Sequence, residues 1–258
     1  MTKTESIDKL ERDWRMEEDA AHMLGWDFSH LRGRYREEDD LPWDYEAVVR
    51  ELLDPGDRLL DVDTGGGEFL LSLGHPHELT AATEAYPPNV ELCRATFGPL
   101  GVAFAAVDGD APMPFPDDAF DIVINRHGAF DAHELHRIIR PGGLFVTEQV
   151  GGRNDRELVE LLLPGTPEPY PDLTLAHTAA EFEAAGFAVE RGEEAFRPIE
   201  FYDVGALVWF ARIIEWEFPG FSVDRCLPQL RRAQQELERD GAVRGTIHRF
   251  LMVARNKG

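Results

Sequence analysis

Between residues 58 and 191 the chain alternates short apolar runs with segments of helical periodicity. The runs are Arg58–Asp63, Leu79–Glu84, Val102–Val107, Phe120–Asn125, Leu144–Val150 and Phe187–Arg191. Between most of them lie helix-like pieces at 67–73, 88–97, 131–139, 155–163 and 179–185. Runs that are apolar almost throughout predict strands buried on both faces, whereas the helical pieces are apolar on one side only. Asp131-x-x-Glu134 and Thr178-x-x-Glu181 have the form of capping boxes, and Gly186 stands where a helix stop belongs. The pattern predicts an α/β fold, a doubly wound parallel sheet covered by helices.

The flanks read differently. Residues 5–24 carry Ile7, Leu10, Trp14 and Leu24 near one helical face, with Gly25 as the stop. A second short helix is expected over about 44–53, ending at Asp54-Pro55-Gly56. After residue 195 the alternation breaks, and Phe201–Phe218 has helical spacing at Val204, Leu207, Val208, Ala211 and Ile214. Ser222 is placed to cap a further helix running to Gly241, and Arg244–Ala254 reads as a final strand. One domain is expected over 1–258. It divides into a helical, aromatic lid at 1–45, a core at 46–195, a helical cap at 196–242 and a final strand at 243–258.

Composition narrows the partners. The 258 residues hold 26 basic and 49 acidic side chains, a net charge of −23, and Lys3, Lys9 and Lys257 are the lysines. Such a field repels phosphate backbones over a Debye length of about 8 Å at physiological salt, so free binding to nucleic acid or an anionic membrane is disfavoured. The N-terminus has no apolar core of a signal peptide, and the longest apolar run, Val204 to Ala211, is far short of a membrane span. Two cysteines, Cys93 and Cys226, supply neither a disulfide framework nor a thiolate zinc site, and a reducing cytoplasm is the expected compartment.

The segment Leu59-Leu60-Asp61-Val62-Asp63-Thr64-Gly65-Gly66-Gly67-Glu68 is a strand, a glycine loop and a helix start. In doubly wound sheets ligands sit at such strand ends, where glycine lets the backbone approach them. Gly67 is followed by Glu68-Phe69 rather than Lys-Ser/Thr, which excludes a nucleotide triphosphate loop, and Leu70 breaks the dinucleotide fingerprint. A ligand with a carboxylate and a ribose but no diphosphate is expected. Glu84 ends the second run, where a carboxylate can accept both ribose hydroxyls, and Asp108-Gly109-Asp110-Ala111 follows the third.

These pieces, together with Pro114-Phe115-Pro116-Asp117-Asp118-Ala119-Phe120-Asp121 and Arg140-Pro141-Gly142-Gly143, resemble class I S-adenosylmethionine-dependent methyltransferases of the type 11 group. The likeness spans about residues 45–195. It implies a Rossmann-like seven-stranded sheet with its last strand antiparallel, and S-adenosylmethionine as cofactor. It also implies Asp61, Gly65 and Gly67 near the methionine part, Glu84 on the ribose, Asp110 and Ala111 by the adenine, and Asn125 after the fourth strand. Asp110 lies one residue close to Pro114-Phe115, which makes Asp108 its alternate. Asp63 stands where the motif has its first glycine. Asp tolerates unusual backbone angles, and its carboxylate is placed to pair with the ammonium of the methionine part or to repel its neighbours.

Methyl transfer from a sulfonium is an in-line displacement governed by positioning, and a base is needed only for an acceptor that must lose a proton. His127, in Asn125-Arg126-His127-Gly128, is the candidate base, and Arg126 could hold an anionic group. His133 and His136 are half a metal pattern without further ligands, so no metal is expected. Aromatic residues gather outside the core, among them Trp26, Phe28, Trp43, Tyr45, Phe201, Trp209 and Trp216. They predict an enclosed aromatic pocket and a small-molecule acceptor. The competing readings are RNA methylation and a donor-binding protein without transferase activity.

Overall fold

Every apolar run expected as a strand is one, and the differences lie at the ends. The computed structural model describes residues 3–22, 27–37, 40–108 and 112–258. The chain divides into two compact units, Pro42–Gly151 with Asp172–Ala195 and Arg249–Gly258, and Met1–Leu41 with Gly152–Pro171 and Phe196–His248.

In the first unit, helix α2 (Tyr45–Leu52) begins where the Asp44 carboxylate accepts from the Ala47 N–H at 3.0 Å. Strand β2 (Leu59–Val62) pairs in parallel with β3 (Thr80–Glu84) and with β5 (Phe120–Arg126). Beyond β3 lies β4 (Ala103–Ala106), and beyond β5 lies β6 (Ile139–Val150), both also parallel. Helices α3 (Glu68–Ser72), α4 (Pro87–Phe97), α5 (Ala132–Ile138) and α7 (Leu175–Ala184) connect or flank them. Leu60, Val62, Val123, Leu135, Phe145 and Phe182 form one apolar cluster, with the Phe145 and Phe182 rings stacked at 5.2 Å. Each such buried side chain contributes about 1.5–3 kcal/mol of transfer free energy.

Among the described residues the sheet has eight strands in the order β1-β7-β8-β6-β5-β2-β3-β4, where β1 is Tyr35–Glu37, β7 is Phe187–Phe201 and β8 is Val243–Asn256. Strand β8 runs antiparallel to β6, as the resemblance implied, and seven of the strands are those expected. The eighth, β1, pairs antiparallel with β7. Its three residues carry too little periodicity to read from sequence.

The second unit holds α1 (Lys3–Ala20), α6 (Arg156–Leu162), α8 (Val204–Ile213) and α9 (Leu227–Asp240). Leu24, Gly25 and Trp26 lie outside the described residues. Residues Val204 to Ala211 are buried throughout, and Trp14, Phe201, Trp209, Phe210, Phe218 and Phe221 share their cluster. Most of the late aromatics are therefore packing, while Tyr202 and Trp216 stay exposed.

Three local expectations are corrected. Helix α7 starts a turn early, capped by Thr174 Oγ1 on the His177 N–H at 3.2 Å, and Thr178 is buried within it. Ser222 closes a turn on the Arg225 N–H, and α9 begins only at Leu227. Strand β7 runs ten residues past Arg191, and its second half alternates exposed positions (Gly192, Glu194, Phe196 and Pro198) with more buried ones such as Ala195 and Ile199. A one-sided strand of that kind lacks the continuous apolar signature.

Candidate functional site

Asp63 leaves β2 with φ +56°, and the Thr64 N–H returns to the Thr83 carbonyl at 3.0 Å. A left-handed residue is needed here, and aspartate is among the few side chains that adopt it readily. Gly67 has φ +84° and faces the Phe97 ring, into which any Cβ would run, so both backbone angle and space require glycine. Between these turns, the Cβ position of Gly65 opens on space.

Three carboxylates surround the loop. Asp61 is buried and its Oδ2 accepts from Thr64 Oγ1 at 2.6 Å. Glu84 Oε1 accepts the N–H groups of Ala85 and Tyr86 at 2.8 and 2.9 Å. Its Oε2 accepts from the Gly65 N–H at 2.9 Å and the Asn89 amide at 3.3 Å. Burial, then the charges of Asp63 and Glu84, push Asp61 up to about 7, against a hydrogen bond from Thr64. Burial and Glu84 push Asp63 up to about 6. Burial and the charges of Glu84, Glu68 and Asp61 push the Cys93 thiol up to about 12, which keeps it a thiol at neutral pH.

The end of β5 lies beside this loop. Gly128 approaches Asp63 so closely that a Cβ there would meet the Asp63 side chain. Asn125 is fully buried and acts as a brace. Its Nδ2 donates to the Val62 carbonyl at 3.0 Å, and its Oδ1 accepts from Thr147 and Gln149 at 3.2 and 2.6 Å. Tyr45 donates to the Asn125 carbonyl at 3.1 Å. Arg126 lies over the Phe69 ring at 5.9 Å, and the Phe69 and Tyr45 ring centroids are 5.4 Å apart.

His127 has φ +67°, and its N–H donates to the Glu148 carbonyl at 3.0 Å. Its Nε2 lies 3.3 Å from Glu148 Oε1, and Trp43 Nε1 donates to Glu148 Oε2 at 2.6 Å. The imidazole is 32% exposed and Glu148 is 9% exposed, so the ring is reachable and its partner is not. Burial and the cations Arg249 and Arg126 lower the His127 value below the ordinary 6.5, with Glu148 opposing them. His127, the Trp43 indole and the Glu148 carboxylate thus meet where β5 and β6 end side by side.

Residues 60–147 match the family model for a methyltransferase domain. Over 117 residues the chain is 32% identical to a demethylmenaquinone methyltransferase of Thermus thermophilus, covering 42% of this chain and 53% of that protein. It is 31% identical over 117 residues to a 2-methyl-6-phytyl-1,4-hydroquinone methyltransferase of Synechocystis sp., covering 42% and 36%. The chain thus spans about half the length, or less, of these curated relatives. A functionally unknown protein of Deinococcus radiodurans shares the fold over 98% of this chain and 99% of its own, with a TM-score of 0.59 at 15% identity. Over residues 60–147 the chain is thus similar to methyltransferase domains of class I, a type that takes its methyl group from S-adenosylmethionine.

The cradle fits that donor on charge. Carboxylates that raise one another's pKa gain from a ligand bearing an ammonium and a sulfonium, and the open side of Gly65 leaves room for it. Asp110 and Ala111 lie outside the described residues, and Asp108 is exposed at the end of the described segment before them. His136 packs edge-on against Phe187 at 5.6 Å, His133 is exposed, and among the described residues no cluster of three acids, cysteines or histidines could hold a metal. No helix among them is long and apolar enough to cross a membrane. Glu148 was not singled out in the sequence, and Trp43 stood there only as one aromatic among several, although the polar triplet Thr147-Glu148-Gln149 inside an apolar strand was a signal.

Proposed function

We propose that this chain transfers a methyl group from S-adenosylmethionine to a small-molecule acceptor by in-line displacement. The observation that carries the reading is the contact of Gly128 with Asp63, which sets the His127 strand end directly against the acid-rich glycine loop. In this reading Asp61, Asp63, Gly65 and Gly67 hold the methionine part, and Glu84 accepts the ribose hydroxyls in place of its long Asn89 bond. Asp110, Ala111 and Asp108 supply the adenine end. Asn125 contributes by bracing β2 rather than by touching the donor.

The bound donor supplies a methyl carbon activated by a sulfonium. His127 would accept the proton that the acceptor gives up on taking the methyl group, with the donor's neutral thioether as the leaving group. A neutral imidazole at neutral pH suits that task, because the group must be unprotonated to act as base. Arg126 is placed to face an anionic oxygen on the acceptor. Phe69, in contact with both Tyr45 and Arg126, offers an aromatic surface beside this strand end. The names of the two relatives make a quinol or phenol ring the first acceptor class to try.

The test pairs calorimetric titration of S-adenosylmethionine with a screen of hydroquinones, phenols and small amines for methylated product. Binding with turnover of at least one acceptor is expected, and His127→Gln should lower turnover while leaving donor affinity intact. Donor binding with no product from any acceptor would favour a binding protein. Methylation of RNA instead would move the acceptor to another class.

A further inference from the structure

We propose that Glu148, held by Trp43, is a positioning residue that fixes the tautomer of His127 and makes Nδ1 its proton-accepting nitrogen. The inference rests on His127 being the base. Glu148 is buried, and its two oxygens face different donors: Oε2 takes the Trp43 indole N–H at 2.6 Å, and Oε1 faces His127 Nε2 at 3.3 Å. An indole nitrogen can only donate, so Oε2 is committed to it. The carboxylate then turns Oε1 to the imidazole, where an ionised acceptor favours a proton on Nε2. A neutral histidine carries one ring proton, so Nδ1 is left as acceptor.

The backbone supports the same arrangement. Arg126 and Glu148 are paired across β5 and β6, and the His127 N–H donates to the Glu148 carbonyl, so ring and carboxylate are tied by main chain as well. A left-handed histidine is uncommon, and these ties must hold it in place. The charged groups acting on the ring are Glu148 from β6, Arg126 from β5 and Arg249 from β8, and Asp63 lies against the next residue, Gly128. Arg126 Nε is 3.7 Å from Glu148 Oε1, so it adds charge to that oxygen without displacing the imidazole.

Glu148→Gln tests the tautomer. The amide oxygen must stay on the Trp43 indole, which turns the amide N–H₂ toward His127 Nε2 and moves the ring proton to Nδ1. Nitrogen-detected histidine NMR on the intact chain is expected to show Nε2–H in the wild type and Nδ1–H in the variant. The turnover rate should fall about 10²–10⁴-fold with the donor's affinity within about twofold of wild type. His127→Gln combined with Glu148→Gln should lose no more than His127→Gln alone, because the two act as one unit. Trp43→Phe frees Oε2 and should cost about 3–10-fold, and Glu148→Asp should recover part of the Glu148→Gln loss. An unchanged tautomer in Glu148→Gln, or full turnover with an unaltered pH profile, would overturn this role. Full activity in His127→Gln would instead remove the base on which it rests. Should Glu148→Gln fail to fold, the Trp43→Phe tautomer and rate decide between the same outcomes.

Discussion

Acids are treated in two opposite ways in this protein. In the unit containing α1 and α8, Arg34 lies between Glu17 and Asp203, with both Asp203 oxygens at 2.7 and 2.9 Å and Glu17 at 2.8 Å. Hydrogen bonds from Arg34 and His30 outweigh burial and lower the Glu17 value. In the glycine loop Asp61, Asp63 and Glu84 face one another, and burial drives Asp61 and Asp63 upward instead. One cluster is satisfied by the fold. The other is left electrostatically unfavourable by the fold, and in the proposed reading a cationic ligand relieves it, as at sites selected for binding rather than stability.

Making the loop bulkier is the severest way to break this contrast. Gly67→Ala adds a methyl against Phe97 at φ +84° and should cost about 2–4 kcal/mol in urea denaturation. A cost under 1 kcal/mol would show that the Phe97 ring simply swings aside. Next in size is Arg34→Ala, which leaves Glu17 and Asp203 without their shared cation. It should lose about 1–2 kcal/mol, since the group is partly exposed, and leave donor affinity unchanged.

Asp63→Asn should act in the opposite direction. The raised value of Asp63 means that the folded state resists ionisation, so its penalty grows as pH rises from about 4 and is complete above about 6. The variant should therefore gain about 1 kcal/mol at pH 8, with the gain fading below pH 4, and bind the donor about tenfold more weakly. A variant equal to wild type at both pH values would place Asp63 outside the electrostatic cluster. The smallest change is expected from Arg15→Ala on the exposed Asp224 pair, at most about 0.5 kcal/mol by thermal denaturation.

How much of this was legible follows from which residues carried a local signal. The strands from Leu59 to Val150 announced themselves by continuous apolar runs, and the glycine loop with Glu84 by its spacing. Asp63 could be read as a left-handed aspartate because that position demands a special backbone angle, and it has φ +56°. The second half of β7 was hidden by Gly192, Glu193, Glu194, Arg197 and Pro198, which interrupt any apolar run and look like a loop, and β1 was too short to show any period. Trp43 was read as one more aromatic in a lid, yet it donates to Glu148 across 105 residues of chain. Such a partnership is tertiary. Nothing within a window of sequence records which acid an indole will meet.

Titration of S-adenosylmethionine into the intact chain at pH 5.5 and pH 7.5 probes the acid-rich cradle most directly. Ionised Asp61 and Asp63 bind a cation better, so the expected result is affinity at least about tenfold higher at pH 7.5, with proton release measured from the buffer dependence of the heat. Equal affinity at the two pH values without proton release, or no binding at either, would contradict the assignment of these carboxylates to the donor.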